Sequence, residues 1–438
     1  MIATDLRSID ASIMEPAWYS NLDFLEGFRQ LRDEDPVRLV EAPNYPRPFW
    51  AVTRHEDVKW CFQNAQLLSS REGARMPRAA TRTTAERRIE LGLDTRLDYL
   101  DDPVHAMYRR PLNKHFSVPA VKRLGSDIAR YVNEIVDDIA ENSEFEFMED
   151  VAAKLPTMVI GTLLGIPREE WSYLQNVTMR ITAFNDPRFT VDNDPLKTFS
   201  DAYAELLDYA GNLAMDRRKN PRDDFATIMG QMKVDHELLS PREVRSPVVG
   251  MILGGFDTTR LALGVGAWQL VENSEQRRAM LDDPALVLGA VDETVRFASP
   301  ARSTVRVANE DFELQGKLIR TGDWVSLVIM SANRDERVFE NPLEFDIRRA
   351  PNDYLSFGEG IHKCLGRNLI RLELSQFYSI FFSRLPDLEI VERRHGSWIR
   401  RLPVCRASRC APARYCPHSR PTEARRNDDG QCSIQGQW

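Results

Sequence analysis

The stretch FGEGIHKCLG, residues 357–366, is the most informative segment of this 438-residue chain. Its two inner glycines have no Cβ, so the backbone can turn tightly there or come close to a flat partner. The loop delivers Cys364 to the start of a helix predicted to begin near residue 365. Amide groups at that helix start favour the anionic sulfur, and His362 and Lys363 add donor or positive groups nearby. Cys364 is therefore a candidate nucleophile, redox thiol or metal ligand.

A lone cysteine in a glycine-rich turn is most often a buried structural residue, and no second cysteine lies near enough for a C-x-x-C redox pair. The pattern F-G-x-G-x-H-x-C-x-G nevertheless resembles the haem-ligand loop of cytochrome P450 enzymes. That resemblance implies that Cys364 is the proximal ligand of a haem iron. It also implies that Phe357, Gly358, His362 and Gly366 belong to the haem-binding site.

A second candidate site is GGFDTT, residues 254–259, within a long apolar pattern. Glycines inside a helix cost about 1 kcal/mol each relative to alanine, so a pair usually has a purpose. They could let a ligand approach or let the helix open locally, whereas the alternative is a packing pair beside a solvent-facing Asp257. The segment resembles the oxygen-binding stretch of the P450 distal helix. The resemblance implies that Thr258 holds oxygen and water and that Asp257 relays protons.

Glu293 and Arg296 form an E-x-x-R pair one helical turn apart. Such pairs are common on protein surfaces and contribute little by themselves. Together with the downstream segment NPLEFDIRR, which ends at Arg349, the pair resembles the Glu–Arg–Arg cluster of the P450 family. The resemblance implies a scaffold for the cysteine loop and no part in catalysis.

The segment DDPVHAMYR, which ends at Arg109, places His105 and Arg109 on one face of a helix start. It resembles the family pattern D-P-P-x-H-x-x-x-R, although Asp102 stands where proline is usual. The resemblance implies that His105, Arg109, Arg306 and His362 contact the two haem carboxylates, which need cationic or donor partners when partly buried. An exposed i, i+4 pair and an ordinary strand arginine are the alternatives.

Helical periodicity dominates the chain, with apolar residues at three- and four-residue steps. The clearest stripes are residues 118–142, 150–165, 196–219 and 369–385. Short β-like runs occur at residues 37–39, 49–52, 304–307, 318–320 and 325–328. The pattern predicts a mainly α protein with a small β-sheet region. The family resemblance implies the P450 fold, a single large α+β domain.

We expect a P450 domain over residues 1–404 and a Cys/Arg-rich tail over residues 405–438. The tail has almost no apolar periodicity, which predicts disorder. A zinc site is the alternative, but the spacing of its cysteines and histidine is unusual; a shifted reading frame is another explanation. These tail residues are Cys405, Cys410, Cys416, Cys432 and His418.

The composition of the chain limits its possible functions and cellular locations. A net charge of -8 argues against generic nucleic-acid binding. No signal peptide is visible at the N-terminus, and no run of about eighteen uncharged apolar residues predicts a membrane span. Cys61 and Cys364 are the two cysteines before residue 400, which fits a reducing compartment. We therefore expect a cytoplasmic, monomeric protein.

The resemblance implies a haem-thiolate monooxygenase that carries haem b and activates O2. Its substrate would be a hydrophobic small molecule such as a terpenoid, steroid or fatty compound, hydroxylated or epoxidised. A peroxide-driven peroxygenase and a haem-binding gas sensor are the alternatives, and retention of both Asp257 and Thr258 favours O2 activation. Specificity is expected in residues 71–100, 180–200 and 300–304 and in the residues before Gly254, with Arg302 or the Arg/Thr-rich stretch 71–88 as the candidate contact for a polar end.

No flavin or nicotinamide domain is visible in the chain, so the electrons are expected from NAD(P)H through a ferredoxin reductase and a ferredoxin. Basic residues expected on the cysteine side of the haem predict a docking face for an acidic ferredoxin. They are Arg110, Lys114, Lys363, Arg367 and Arg371.

Overall fold

Helices make up most of the structure, a computed structural model that describes residues 6–42, 45–74, 84–142, 144–390 and 405–407. The helices are α1 (Leu6–Ser12), α2 (Pro16–Ser20), α3 (Asp23–Glu34), α4 (His55–Gln63), α5 (Ala85–Glu90), α6 (Val104–Asn113), α7 (Val118–Lys122), α8 (Gly125–Ala140), α9 (Lys154–Leu164), α10 (Trp171–Thr182), α11 (Pro195–Lys219), α12 (Phe225–Gly230), α13 (Arg245–Glu272), α14 (Ser274–Asp282), α15 (Leu286–Ala298), α16 (Ile329–Ala332) and α17 (Arg367–Arg384). The predicted fold class, mainly α with small sheets, is confirmed.

Two of the predicted helices, residues 196–219 and 369–385, are observed almost residue for residue as α11 and α17. Helix α11 begins where the Asp194 carboxylate accepts a hydrogen bond from the Lys197 amide at 3.0 Å. Pro195 occupies its first position, where the missing amide proton costs nothing. Local capping chemistry and the apolar stripe therefore agree on this boundary.

The other two predicted helical segments contain breaks. Residues 118–142 form α7 and α8, which are separated just before Gly125. The segment 150–165 falls partly in a π-helical turn, Met148–Ala152, and continues as α9. Apolar periodicity reports which face is buried, and it does not report where the hydrogen-bond register changes.

The largest sheet has five strands in the order β1–β2–β10–β7–β3. Strands β2 and β10 are parallel and the other neighbours are antiparallel. All five predicted strands are present within one residue at each end, whereas seven other strands of two or three residues in the described part of the chain were not predicted. The strands are β1 (Val37–Val40), β2 (Phe49–Val52), β3 (Leu68–Ser69), β4 (Glu144–Phe145), β5 (Lys233–Val234), β6 (Glu237–Leu238), β7 (Thr304–Ala308), β8 (Phe312–Leu314), β9 (Lys317–Ile319), β10 (Trp324–Leu327), β11 (Leu388–Ile390) and β12 (Cys405–Ala407).

Helix α13 runs through the core and carries the GGFDTT segment. It packs against α9, α10, α11, α15 and α17. By length and composition it is the one helix in the described part of the chain that is long and apolar enough to cross a membrane, although it carries Asp257 and Arg260 and so is not an uncharged run. Half of its most apolar window is buried inside the protein, which is the environment of a core helix.

Strand β12 lies between β11 and β4 and is antiparallel to both. The first three residues of the predicted tail therefore belong to a sheet. Residues 408–438, with their three cysteines and His418, lie outside the described residues. Where the chain is described, no group of three or more His, Cys, Asp or Glu residues could hold a metal ion. The domain boundary at residue 404 and the disorder of the tail stay predictions.

Candidate active site

The cysteine loop has the tight backbone that its glycines predict. The Cys364 amide donates a hydrogen bond to the Phe357 carbonyl at 2.8 Å, which closes the loop. Gly358 and Gly360 have φ of 63° and 67°, in the left-handed region. A Cβ on Gly360 would lie 2.5 Å from the backbone oxygen of Phe62 in α4. Glycine is therefore required at 360 both by conformation and by space.

Opposing influences act on the Cys364 sulfur. Burial raises the pKa of the thiol, and the Gly366 amide and the positive charges of Arg109 and Arg367 act in the opposite direction. The expected influence of the helix-start amides is thus present, but burial outweighs it in the protein alone. Metal coordination reverses this balance, because a coordinating thiol is deprotonated outright.

The predicted carboxylate-binding residues come together beside this loop. The rings of His105 and His362 lie 4.3 Å apart between centroids. His362 Nε2 lies 3.1 Å from Ser70 Oγ. Arg109 Nη2 donates to the Lys363 carbonyl at 2.6 Å, which ties α6 to the cysteine loop. The pattern read from DDPVHAMYR therefore describes a real spatial cluster.

The unusual Asp102 organises the start of α6. Its Oδ1 accepts a hydrogen bond from the Ala106 amide at 3.1 Å and lies 3.5 Å from His105 Nδ1. The His105 side chain is 2% exposed, and its Nε2 has no hydrogen-bond partner among the described residues. Asp102 thus holds one ring nitrogen of His105 and leaves the buried other one without a partner.

Burial and neighbouring positive charges disfavour the charged forms of the side chains in this cluster. Burial, together with the positive charges of Arg306 and His105, lowers the pKa of His362 to about 3. Burial likewise lowers the pKa of Arg306 to about 10, although its Nη1 donates to Thr304 Oγ1 and the Val305 carbonyl. A buried anion would relieve both effects. The two carboxylates of a haem fit this set of donors. A carboxylate would also give a partner to His105 Nε2, which has none among the described residues.

The glycine pair of α13 serves two different purposes. A Cβ on Gly254 would meet nothing within 4 Å, whereas one on Gly255 would lie 2.4 Å from Ile160 Cδ1 of α9. Gly255 therefore permits helix packing, and Gly254 faces open space. The helix is continuous through this segment, so of the two possible purposes a local opening is not observed. Thr258 Oγ1 donates to the Gly254 carbonyl at 2.7 Å.

Asp257 is held by a residue that sequence reasoning missed. Arg260 Nη2 donates to Asp257 Oδ1 at 2.9 Å, with the two side chains 2% and 19% exposed. The alternative of a freely solvent-facing Asp257 is therefore wrong. The i, i+3 spacing on one helix was the signal that could have identified Arg260.

The Glu–Arg–Arg cluster forms as the motif predicts. Glu293 accepts from Arg296 Nε and Nη2 at 2.8 and 2.7 Å and from Arg349 Nε at 3.1 Å. Glu293 and Arg296 are fully buried. Asn352 Nδ2 also donates to this carboxylate at 3.2 Å. The cluster thus fixes the chain directly ahead of the cysteine loop.

The predicted basic face is smaller than expected. Lys363 pairs with Glu359 at 2.8 Å, and Arg371 pairs with Asp292 at 2.8 Å. Arg367 Nη1 donates to the Cys364 carbonyl. These three cations are therefore engaged within the protein.

Arg110 and Lys114 remain exposed at the end of α6. Three apolar side chains on α6, α7 and the cysteine loop are exposed as well, namely Val104, Val118 and Ile361. Arg109, next to Arg110 on α6, is bonded to the Lys363 carbonyl, so this end of α6 lies beside the cysteine loop.

Two expectations about substrate contacts change. Arg302 lies over the ring of Tyr19, with its guanidinium carbon 4.3 Å from the ring centroid. A cation–π contact with α2 occupies this arginine instead of a substrate. In the 71–100 segment, residues 75–83 lie outside the described residues, and the remainder forms α5 and two turns of 3₁₀ helix.

The cytochrome P450 family model matches residues 71–386. The chain is 31% identical over 401 residues to cytochrome P450-terp of a Pseudomonas species, covering 89% of this chain and 93% of that protein. It is 30% identical over 409 residues to the steroid C26-monooxygenase of Mycolicibacterium smegmatis, covering 91% and 92%. The solved structure of Mycobacterium marinum cytochrome P450 CYP268A2 in complex with pseudoionone superposes with a TM-score of 0.80 at 28% identity, covering 91% and 97%.

A fold and relatives of this kind define a haem enzyme. The chain belongs to the cytochrome P450 family and is a P450 monooxygenase.

Proposed function

We propose that this P450 hydroxylates or epoxidises a hydrophobic small molecule of terpenoid, steroid or fatty type, using O2 and electrons from a ferredoxin-type partner. The observation that carries the proposal is the pairing of two features in one chain. One is a glycine-cradled Cys364 beside a cluster of histidine and arginine side chains, and the other is Thr258 with Asp257 beside open space at Gly254. The names of the relatives, a P450-terp and a steroid monooxygenase, support the substrate classes.

In this proposal Cys364 is the iron ligand, within a loop shaped by Phe357, Gly358 and Gly366. Haem b, when bound, supplies O2 activation and the transfer of one oxygen atom. The haem carboxylates are held by the cluster of hydrogen-bond donors whose members are His105, Arg109, Arg306 and His362. Their buried donors gain an anionic partner, and the carboxylates gain hydrogen bonds away from water.

Thr258 and Asp257 are the residues that take part in proton transfer. The Thr258 hydroxyl proton points to the Gly254 carbonyl, so its oxygen lone pairs are free to accept a hydrogen bond from water or ligand. Asp257 Oδ1 is bonded to Arg260, which leaves Oδ2 as the oxygen that picks up and releases a proton.

The redox partner would bind around the cysteine loop. Exposed Arg110 and Lys114 attract an acidic protein, and the three exposed apolar side chains nearby supply contact area. Substitution of both cations by glutamine should slow ferredoxin-dependent reduction and leave dithionite reduction unchanged. The cytoplasmic location and the monomeric state stay predictions.

The reduced, carbon-monoxide-treated spectrum tests the site. The wild type should show the long-wavelength Soret band of thiolate ligation, and Cys364→Ala should lose it. Survival of that band in the variant would refute the assignment of Cys364. Turnover is then compared with ferredoxin, reductase and NAD(P)H and with hydrogen peroxide alone. Rapid turnover with peroxide and none with the redox chain would establish the peroxygenase instead, and no turnover at all would favour the gas sensor.

A further inference from the structure

Arg96 covers the face of α13 that carries the candidate oxygen site. Gly250, Gly254 and Thr258 are spaced by four residues and so lie on one helix face. Gly254 faces open space, but a Cβ on Gly250 would lie 3.1 Å from Arg96 Cγ and 3.3 Å from its Cδ. The arginine therefore stands one turn away from the open position, over the same face.

Asp98 holds this arginine with both carboxylate oxygens. Arg96 Nε and Nη2 donate to Asp98 Oδ1 and Oδ2 at 2.7 and 2.6 Å, a bidentate pair. The two side chains are 17% and 42% exposed. The pair is thus compact, geometrically fixed and accessible on its carboxylate side.

Asp98 also lies within electrostatic reach of the cluster of hydrogen-bond donors. Burial lowers the pKa of His362 and of Arg306, and the charge of Asp98 acts in the opposite direction on both. The Arg96–Asp98 pair therefore spans from the face of α13 to the groups assigned to the haem carboxylates. A substrate on the open side of α13 beside Gly254 would therefore meet this pair.

The surroundings of the pair are aromatic. Arg96 Nη1 lies 3.3 Å from the Tyr203 hydroxyl, and the Arg96 guanidinium carbon lies 4.8 Å from the Tyr99 ring centroid. Tyr203 stacks on Phe199, with centroids 5.9 Å apart, and Phe199 contacts Phe184. These aromatic rings form a wall in which the Arg96–Asp98 pair is the charged group.

We infer that the Arg96–Asp98 pair selects hydrophobic substrates that carry a neutral hydroxyl or carbonyl group over carboxylates and amines of the same carbon skeleton. The inference rests on the proposed function and narrows its substrate classes. The pair is neutral as a whole, so neither a carboxylate nor an ammonium head finds an unmatched opposite charge. A carboxylate would lie against Asp98 and an ammonium against Arg96, each partly removed from water.

A neutral group meets no such penalty. A carbonyl oxygen accepts from the guanidinium or from Tyr203, and a hydroxyl can also donate to Asp98. Sites built to hydrogen-bond one polar group discriminate strongly against analogues that leave partners unsatisfied. Terpenoid and steroid alcohols and ketones therefore fit this wall, and free fatty acids do not.

The test is a binding comparison on the haem-loaded enzyme. The ligands are matched sets of an alcohol, a ketone, a carboxylate and an amine on one terpenoid and one steroid skeleton. Dissociation constants come from the Soret spin-state shift and, independently, from calorimetry. The alcohol and ketone should bind at least about tenfold more tightly than the carboxylate and the amine. Tighter binding of the carboxylate by the wild type would overturn the inference.

Asp98→Asn should reverse the discrimination against acids, because Arg96 then becomes a cation without its carboxylate. Carboxylate affinity should rise about tenfold while alcohol affinity changes little. The matched control is Asp94→Asn, since Asp94 accepts from Arg242 at 2.9 and 3.0 Å in a similar bidentate pair about 40% exposed. That variant should leave all ratios unchanged. An unchanged acid-to-alcohol ratio in Asp98→Asn would overturn the inference.

Arg96→Gln provides a second variant should Asp98→Asn fail to fold. Its unmatched carboxylate should raise amine affinity relative to the alcohol, and an unchanged ratio would again contradict the inference. The reduced, carbon-monoxide-treated spectrum separates the two proposals. Absence of the thiolate band from the wild-type spectrum refutes the proposed function. If the band is present but the wild type binds the carboxylate more tightly than the alcohol, the substrate inference alone is refuted.

Discussion

The cysteine loop and helix α13 both place two glycines beside reactive residues, but for different reasons. In the loop, Gly358 and Gly360 have left-handed φ, and a Cβ on Gly360 would collide with Phe62 O. In α13, the backbone is helical throughout, and a Cβ on Gly254 would touch nothing. The loop glycines are required by the shape of the chain itself. Gly254 is required by what approaches it, so a substitution there should be tolerated by the fold and resisted by the function.

Gly360→Ala should have the largest effect on stability. A left-handed alanine costs about 1 to 2 kcal/mol, and the close contact with the Phe62 carbonyl adds to it, so we expect a loss of about 3 kcal/mol. Urea unfolding and haem content measure the outcome. Gly316→Ala is the control, because Gly316 has φ of 71° and an open Cβ position. Equal losses in both variants would show that the Phe62 contact is unimportant.

Thr258→Ala should act on the chemistry and spare the fold. Removal of the hydroxyl should lower product per O2 consumed about 100-fold, because proton delivery at that position is lost. Oxygen consumption and melting temperature should change little. Thr258→Ser keeps the hydroxyl and should retain most of the product yield. A similar loss in both variants would point to packing by the methyl group instead.

Arg260→Gln should have a smaller effect on the same step. Without the charge-assisted bond, Asp257 Oδ1 is no longer fixed, and kcat should fall about fivefold, which corresponds to about 1 kcal/mol. KM for substrate should be unchanged, and Arg260→Lys should restore part of kcat. Steady-state kinetics with a coupled redox chain measures both parameters. A parallel rise of KM would indicate a general disturbance of α13.

Gly254→Ala should have the smallest effect on stability, and of opposite sign. Alanine is the better helix former, so the free energy of unfolding should rise by about 0.5 to 1 kcal/mol. The added methyl group occupies the open side of the helix and should weaken the substrate-induced spin shift. Gly255→Ala is the comparison, since its Cβ meets Ile160. A destabilised Gly254→Ala would contradict the assignment of open space beside this residue.

The features that the sequence predicted correctly depend on short local patterns. The long stripes of α11 and α17, the strand Phe49–Val52 and the glycine loop all carry their signal within a few residues. The Glu293 cluster was also predictable, because its motif fixes residue types at separated positions. The long apolar pattern of α13 is that of a helix in the protein core, where half of its most apolar window is buried.

The remaining features depend on which distant segments meet. Arg302 looked available to a substrate, but α2 brings Tyr19 beneath its guanidinium. Lys363 and Arg371 looked like docking cations, but carboxylates nearby engage them. The Arg96–Asp98 pair has no motif, and its importance comes from Gly250, about 150 positions away in the chain. Residue type and spacing cannot report such neighbours.

The buried Glu293 has a consequence for the order in which the protein matures. Its carboxylate accepts hydrogen bonds from residues 296, 349 and 352. If one of these segments were unfolded, a buried carboxylate would lose part of its compensation, which is energetically costly. The segment ahead of Cys364 is thereby locked by protein contacts alone. The apoprotein should already present a shaped loop, so haem insertion pays little ordering entropy and proceeds as docking rather than as folding around the cofactor.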